Sequence, residues 1–266
     1  MLQDFNFKDK YGFEDLAGIM ALLRSGTGCP WDREQTHKSI RANFIEETYE
    51  VIEAIDNDDA PLLKEELGDV LLQIVFHAQM EKEKGIFDIS DVIDGICQKL
   101  IIRHPHVFGE VKVENSEQVL KNWDEIKKQT KGQKSQTEVI KTIPRVLPAL
   151  MRSYKVQQRA AKVGFDWQEV SGALSKTHEE LEELEQAIAQ GDSANSKEEL
   201  GDLLFAAVNV SQFINAEPEE ALTAACNKFI ARFSIVEKLA QQQGRGMNEM
   251  SLEELDKLWN RAKSEL

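Results

Sequence analysis

Apolar residues recur along this chain at three- and four-residue spacings, and sustained alternation is scarce. From Phe44, the residues Phe44, Ile45, Thr48, Val51, Ile52 and Ile55 fall on one side of a helix, the spacing of a half-buried element. Pro61 suits the first turn of a following helix, which runs to about Lys84 and stops at Gly85. Ser90 and Ser116 are expected N-caps, the latter with Glu117 opening an acidic first turn. The same period predicts helices near 145–162, 170–190, 196–215, 217–242 and 251–265. The expected fold class is all-α.

The pattern also repeats. KEELGD occurs at Lys64–Asp69 and again at Lys197–Asp202, an offset of 133 residues. The same offset relates Glu46–Glu50 to Glu179–Glu183. Each copy is preceded by a Gly-containing aromatic turn, Gly28–Asp32 and Gly164–Trp167. Each is followed by a Lys-x-x-x-Arg pair, Lys99 with Arg103 and Lys228 with Arg232. Trp123 with Lys127, and Trp259 with Lys263, close the two copies. Between them Lys127–Gln136 is basic and polar with no apolar residue, which is linker chemistry. The chain therefore reads as tandem duplicated helical domains, 1–130 and 140–266, joined by a linker at 131–139.

Composition narrows the partners. Against 32 Lys and Arg stand 47 Asp and Glu, a formal net charge of −15. Such a surface repels phosphate backbones, so nucleic acid is not an expected partner. No apolar run reaches the roughly 20 residues of a membrane span, and Met1–Lys10 carries no signal-peptide core. Three widely spaced cysteines, Cys29, Cys97 and Cys226, suit a reduced, cytoplasmic compartment.

The two KEELGD helices carry acids where a core would be expected. Leu67, Leu71, Leu72, Ile74, Val75 and Phe76 surround an axis whose remaining stripe holds Glu66 and Asp69, followed by Gln73 and His77. Leu200, Leu203, Leu204, Phe205, Val208 and Val210 likewise surround Glu199 and Asp202. A helix apolar on nearly every side is expected to be buried. Buried acids must be paired or hold a metal, because isolated charge costs several kcal/mol there. Glu47 and Glu50, like Glu180 and Glu183, sit three apart on the preceding helix. Two antiparallel helices would thus converge on four oxygen donors, the shell that Mg²⁺ or Mn²⁺ prefers. Glu53, Glu182 and Glu185 read as a solvated face. Lys228 and Arg232, recurring as Lys99 and Arg103, suit phosphate contacts. Trp123 and Trp259 read first as packing residues. His104-Pro105-His106 reads as a structural turn, Glu34-x-x-His37 lacks the second motif of a di-iron bundle, and Cys29 reads as packing. No GxxxxGK[ST] or GxGxxG loop is present.

The motifs GCPWDREQT (Gly28–Thr36), EETYE (Glu46–Glu50), EELGD (Glu65–Asp69), RHPHVF (Arg103–Phe108), VGFDW (Val163–Trp167), EELEE (Glu179–Glu183) and the second EELGD (Glu198–Asp202) resemble the MazG-type nucleoside triphosphate pyrophosphohydrolases, in their two-domain bacterial form. EExxE followed by ExxD occurs twice, each time with 15 residues between the two motifs. The resemblance implies an all-α, Mg²⁺-dependent enzyme cleaving NTPs or dNTPs to the monophosphate and pyrophosphate. It implies a homodimer in which two copies complete a four-helix bundle. It also implies that Glu180, Glu183, Glu199 and Asp202 ligate metal and serve catalysis, with Glu47, Glu50, Glu66 and Asp69 as a second site. Lys228 and Arg232 would hold phosphates, and Lys176, Trp259 and Lys263 would line the nucleotide pocket. Lys176 faces Asn43 across the repeat and Asn209 faces Phe76, which points to the second domain as the principal site. The alternatives are a narrower dUTP-type or phosphoribosyl-ATP pyrophosphohydrolase and a non-catalytic, metal-stabilised helical binding module.

Overall fold

The computed structural model describes residues 5–130 and 135–265. Among them lie thirteen α-helices and no strand. The chain divides into two compact units, 1–127 and 128–266. The first holds α1 (Phe13–Leu23), α2 (Pro30–Glu34), α3 (Arg41–Asp56), α4 (Ala60–Glu83), α5 (Ile89–Arg103), α6 (Pro105–Phe108) and α7 (Ser116–Thr130), whose last three residues pass into the second unit. The second holds α8 (Gln136–Lys141), α9 (Ala149–Ala161), α10 (Val170–Gln190), α11 (Ser193–Phe213), α12 (Pro218–Gln242) and α13 (Leu252–Glu265). None of the described helices is long and apolar enough to cross a membrane.

Each unit is built on a helical hairpin, α3–α4 and α10–α11. The turns are short because their ends are capped from within. Asp59 accepts from the amide of Leu62, 3.0 Å away, and Pro61 takes a first-turn position that needs no donor. In the second unit Gly191 adopts φ 72°, the left-handed conformation that ends a helix cheaply only in glycine. Asp192 next to it accepts from Ala194 and Asn195, both at 3.1 Å. Connections of two or three residues force the arms antiparallel.

In the first unit Met20, Ile40, Val75, Phe76 and Met80 form the buried core, with α1 laid across α4. Arg24 at the end of α1 clasps Glu83 in a bidentate pair, both bonds 2.8 Å, and its guanidinium lies 5.3 Å from the Phe76 ring centroid. In the second unit α12 packs on α13 around Val236, Leu239, Ala240, Leu258 and Ala262.

Several expectations need correction. The N-cap of α5 is Asp88, which accepts from Ser90 and Asp91, rather than Ser90. Asn115 accepts from Gln118 at the start of α7, one residue before Ser116. In both cases an acceptor placed before the first helical residue reaches the free amides, and a serine one or two positions later does not. Residues 136–139 of the expected linker belong to α8, with Val139 buried, and 131–134 lie outside the described residues. The helix expected from 145 begins at Ala149, because Pro148 sits in extended backbone before it. The acid-bearing helices are not covered on all sides within one chain. Leu67, Leu200, Leu204 and Phe205 stand exposed, as do Ile45, Ile52 and Ile55 of α3.

Met20 is 1% exposed at the centre of the first core. Met20→Ala should destabilise the first unit by roughly 2–5 kcal/mol through lost contacts and the cavity left behind. Urea unfolding followed by far-ultraviolet circular dichroism checks this, and an unchanged midpoint would contradict the packing.

Candidate functional site: two carboxylate quartets and one cavity

The second hairpin brings Glu180 of α10 together with Glu199 and Asp202 of α11, with one carboxylate oxygen of each within 4.8 Å of the others. Glu183 stands one turn beyond Glu180. Its charge, with those of Glu180 and Asp202, adds to burial in raising the Glu199 pKa above the usual carboxylate range. The first hairpin repeats the arrangement with Glu47, Glu66 and Asp69. Burial raises the Glu47 pKa, assisted by the charge of Asp69 and a hydrogen bond with Glu50. Burial, then the charges of Glu50 and Asp69, raise that of Glu66. In each cluster the raised carboxylates, Glu199 in the second hairpin and Glu47 and Glu66 in the first, are the groups whose ionisation a neighbouring cation would favour.

Glu180 is 6% exposed and carries a cation of its own. Lys176, one turn earlier on α10, lies 2.7 Å from Glu180 and 2.6 Å from Glu179. These two hydrogen bonds push the lysine pKa upward and fix it as an ammonium beside the quartet. The site thus presents an acid cluster and a cation on one face of α10.

Beside them opens a cavity of about 290 Å³, near the lower end of small-ligand pockets at roughly 300 Å³. Lys176, Glu180 and Asp202 form its charged end; Phe165, Trp167, Val156, Ala160, Phe205 and Ala206 form its apolar walls. Gly172 is required here, because a Cβ at that position would run into the Trp167 indole. Gln157, Asp166 and Asn209 also line the cavity, and Gln157, 7% exposed, donates to the Phe205 carbonyl at 2.7 Å and accepts from Gln212 at 3.2 Å. Asn209 is 5% exposed and donates from Nδ2 to Asp166 Oδ1 at 3.2 Å, while its own Oδ1 is buried without a partner. Asp166 also accepts from the Trp167 amide at 2.9 Å.

The remaining sequence-derived candidates sit elsewhere in the second unit. Lys228 and Arg232 lie on α12 and Trp259 and Lys263 on α13, and none of the four lines the cavity. Trp259 packs against Phe229 with ring centroids 5.0 Å apart, as a half-buried member of the α12–α13 cluster. Lys263 donates to Asn260 at 3.0 Å. Arg232 buries an Nε that has no hydrogen-bond partner among the described residues. In the first unit Arg103 lies over the Trp123 ring at 5.4 Å, and His104 meets the same ring edge-on. The side chain of Lys127 lies outside the described residues.

Sequence reasoning missed a second feature of the first unit. His37 Nδ1 lies 2.7 Å from His77 Nδ1, its Nε2 lies 2.6 Å from Glu81, and Lys84 lies 2.6 Å from the same carboxylate. His77 and Glu81 continue the Glu66–Asp69–Gln73 stripe along α4. That periodicity was the only local signal, since His37 arrives from a turn 40 residues earlier.

Residues 35–108 and 168–236 match the family model described as the MazG nucleotide pyrophosphohydrolase domain. Each segment contains one complete quartet. The chain is 47% identical over 251 residues to the nucleoside triphosphate pyrophosphohydrolase/pyrophosphatase MazG of Thermotoga maritima, covering 94% of this chain and 95% of that protein. It is 44% identical over 251 residues to the nucleoside triphosphate pyrophosphohydrolase of Escherichia coli K12, covering 93% and 95%. The nucleoside triphosphate pyrophosphohydrolase of Mycolicibacterium smegmatis matches at 37% over 163 residues, covering 60% and 49%.

The histidine contact generates a pH test. Burial, then the neighbouring His37, hold the His77 pKa below the usual histidine value. The unfolded chain therefore binds more protons than the folded one below about pH 6.5. Stability from this contact is complete above that value and is lost as pH falls through it. Thermal unfolding between pH 7.5 and 5 should show a first-unit transition that falls with pH. His77→Phe, which keeps a ring against Phe44, should flatten that dependence. Equal slopes in the two proteins would exclude His77 as its source.

Proposed function

The chain belongs to the MazG nucleotide pyrophosphohydrolase family, and from that premise we propose that it is a Mg²⁺-dependent nucleoside triphosphate pyrophosphohydrolase. The observation that carries the reading is the cluster itself: oxygen donors of Glu180, Glu199 and Asp202 gathered across one hairpin, with burial and neighbouring charge raising the Glu199 pKa and an ammonium beside them. That donor set fits a hard divalent cation. Glu180, Glu183, Glu199 and Asp202 would hold it, with Glu47, Glu50, Glu66 and Asp69 as a second site, and Mn²⁺ as a substitute. The bound cation would neutralise phosphate oxygens and make a water more acidic.

The chain's own groups do the rest. Lys176 places a positive charge between the acids and the cavity, where the triphosphate of an NTP or dNTP would lie. A carboxylate of the quartet orients the attacking water and receives its proton. Attack at the α-phosphorus forms a P–O bond to the water oxygen and breaks the bond to the bridging oxygen, releasing monophosphate and pyrophosphate. Arg232 supplies a bidentate fork and Lys228 a point charge for the departing pyrophosphate, with Trp259 and Lys263 on the outer wall of the nucleotide site.

We propose that these α12 and α13 groups complete the site in a homodimer, closing a four-helix bundle around the hairpin. Support comes from apolar side chains left uncovered within one chain: Val92, Ile93, Ile96 and Leu100 on α5, and Leu222, Phe229, Ile230 and Phe233 on α12. The three free cysteines fit a cytoplasmic setting, and the acidic surface disfavours nucleic acid.

Three outcomes are expected. ATP hydrolysis monitored by phosphorus NMR should yield AMP and pyrophosphate, stop with excess EDTA and return with Mg²⁺ or Mn²⁺. Full activity in EDTA would exclude the metal reading. Glu199→Gln should lower turnover by roughly two orders of magnitude while raising the melting temperature of the metal-free protein, because it removes a repelling charge. Unfolding of that variant would favour the metal-stabilised binding module instead. Light scattering should give twice the chain mass; a concentration-independent monomer would contradict the dimer.

A further inference from the structure

Positive charge is gathered in one stretch of this acidic chain. From Lys127 to Lys162 stand ten Lys and Arg against the single acid Glu138, a net of +9. The rest of the chain therefore carries −24 of the overall −15. From Val139 to Phe165 there is no acid at all. We infer that this stretch builds a second anion site, separate from the acid clusters, in which Arg145 and Arg152 hold the linked phosphate groups of a small molecule. The inference goes beyond the hydrolase reading and stands without it.

The site is set by the entry to α9. Pro144 and Pro148 restrict the backbone on either side of a turn in which the Leu147 amide donates to the Pro144 carbonyl at 3.4 Å. Arg145 lies within that turn. Arg152, Lys155, Arg159 and Lys162 follow at spacings of three, four and three, one stripe along α9 and its C-cap. Arg145 and Arg152 line a cavity of about 370 Å³, with Ser153 as a hydroxyl donor and Leu147, Val156 and Phe205 as walls. Among the described residues neither arginine makes a salt bridge, whereas Lys176, Arg245 and Arg261 each have a carboxylate partner. The helix end is not the anchor, because the Met151 amide in its first turn already donates to Glu219 Oε2 at 3.2 Å. The arginine pair is.

Gathered like charges oppose a compact fold until counter-charge joins them. Each guanidinium is a planar fork that takes two oxygens of one phosphate group. Two forks in one cavity therefore suit two linked phosphates better than one. The cavity admits a small molecule, and the −24 on the rest of the chain opposes a long polyanion.

The repeat supplies an internal comparison. α1 packs on α4 as α9 packs on α11, yet α1 carries Glu14 and Asp15 and no cation. The cationic stripe thus serves nothing that the two acid clusters have in common. The cavity it borders shares Val156 and Phe205 with the one beside Glu180 and Asp202, but no charged residue.

Titration calorimetry of the full chain in excess EDTA tests the site, because carboxylates without metal repel an anion. Inorganic pyrophosphate should bind, more tightly than inorganic phosphate, and should raise the melting temperature. Arg145→Gln and Arg152→Gln should each weaken it by roughly tenfold. Arg152→Lys, which keeps the charge and loses the fork, should fall between. Both arginines are exposed, so circular dichroism should be unchanged; if Arg152→Gln loses helix, Arg145→Gln and Arg152→Lys decide. Lys228→Ala combined with Arg232→Ala should leave the affinity within about threefold. Absence of pyrophosphate binding would overturn the inference. So would affinity unchanged by the arginine substitutions, or affinity lost only with Lys228 and Arg232. A single-stranded oligonucleotide that binds through these arginines where pyrophosphate does not would overturn it too, and make the stripe a nucleic-acid surface.

Discussion

Repulsion among carboxylates on the two arms of one hairpin governs much of this molecule. Glu180 on α10 and Glu199 and Asp202 on α11 bring carboxylate oxygens within 4.8 Å of one another, and burial adds to their repulsion at Glu199. A hairpin tolerates this only when its arms are held together elsewhere. The Gly191–Asp192 turn and its paired side-chain caps clamp one end. Buried alanines clamp the seam: Ala173 and Ala187 on α10, Ala206 on α11. Small residues let the backbones approach, and the approach is what makes the acids crowd. The salt bridge from Lys176 relieves part of the repulsion at Glu180, leaving Glu199 and Asp202 as the side of the cluster most in need of a cation.

The uncovered apolar surface belongs to the same constraint. A helix that shows acids on one stripe and leucines on the others cannot be fully enclosed by a unit of about 130 residues whose remaining helices are short or amphipathic. Leu200, Leu204 and Phe205 stand out from α11 for that reason, and Phe229 and Ile230 from α12. The proposed dimer covers those faces and, in the same step, brings Lys228 and Arg232 to the acids. Shielding of the leucines and completion of the phosphate site would then be one event.

Much of the architecture was readable from spacing alone. The 3.6-residue period located α10 at its observed ends and α11, α12 and α13 within a few residues, because long amphipathic helices carry many concordant positions. The juxtaposition of Glu47 with Glu66 and Asp69, and of Glu180 with Glu199 and Asp202, was legible because three- and four-residue offsets fix which acids share a face. Caps were less legible: Asp88 and Asn115 compete with nearby serines, and only the backbone angle decides which oxygen reaches the amides. The cavity was not legible at all. Its walls come from α9, the turn before α10, α10 itself and α11, and the hydrogen bond from Asn209 to Asp166 joins residues 43 apart. The relay from His37 to His77 and Glu81 has the same origin, one partner supplied by a remote turn.

The two copies diverge in a way the acids hide. Both keep the quartet, and they part in the next turns of the second arm. Gln73, His77 and Glu81 follow Asp69, whereas Ala206, Val210 and Ile214 occupy the corresponding places after Asp202. In the first copy His77 meets His37, and Glu81 meets both His37 and Lys84, while the Gln73 Oε1 is buried without a hydrogen-bond partner among the described residues. The apolar residues of the second copy cannot do this. Where Ala206 is small and Asn209 has an acceptor to spare, space remains and a buried polar atom stays unmet. The duplication kept its acids in both halves and let the next turns of the second arm diverge, so that among the described residues the cavity beside the acids belongs to the second copy.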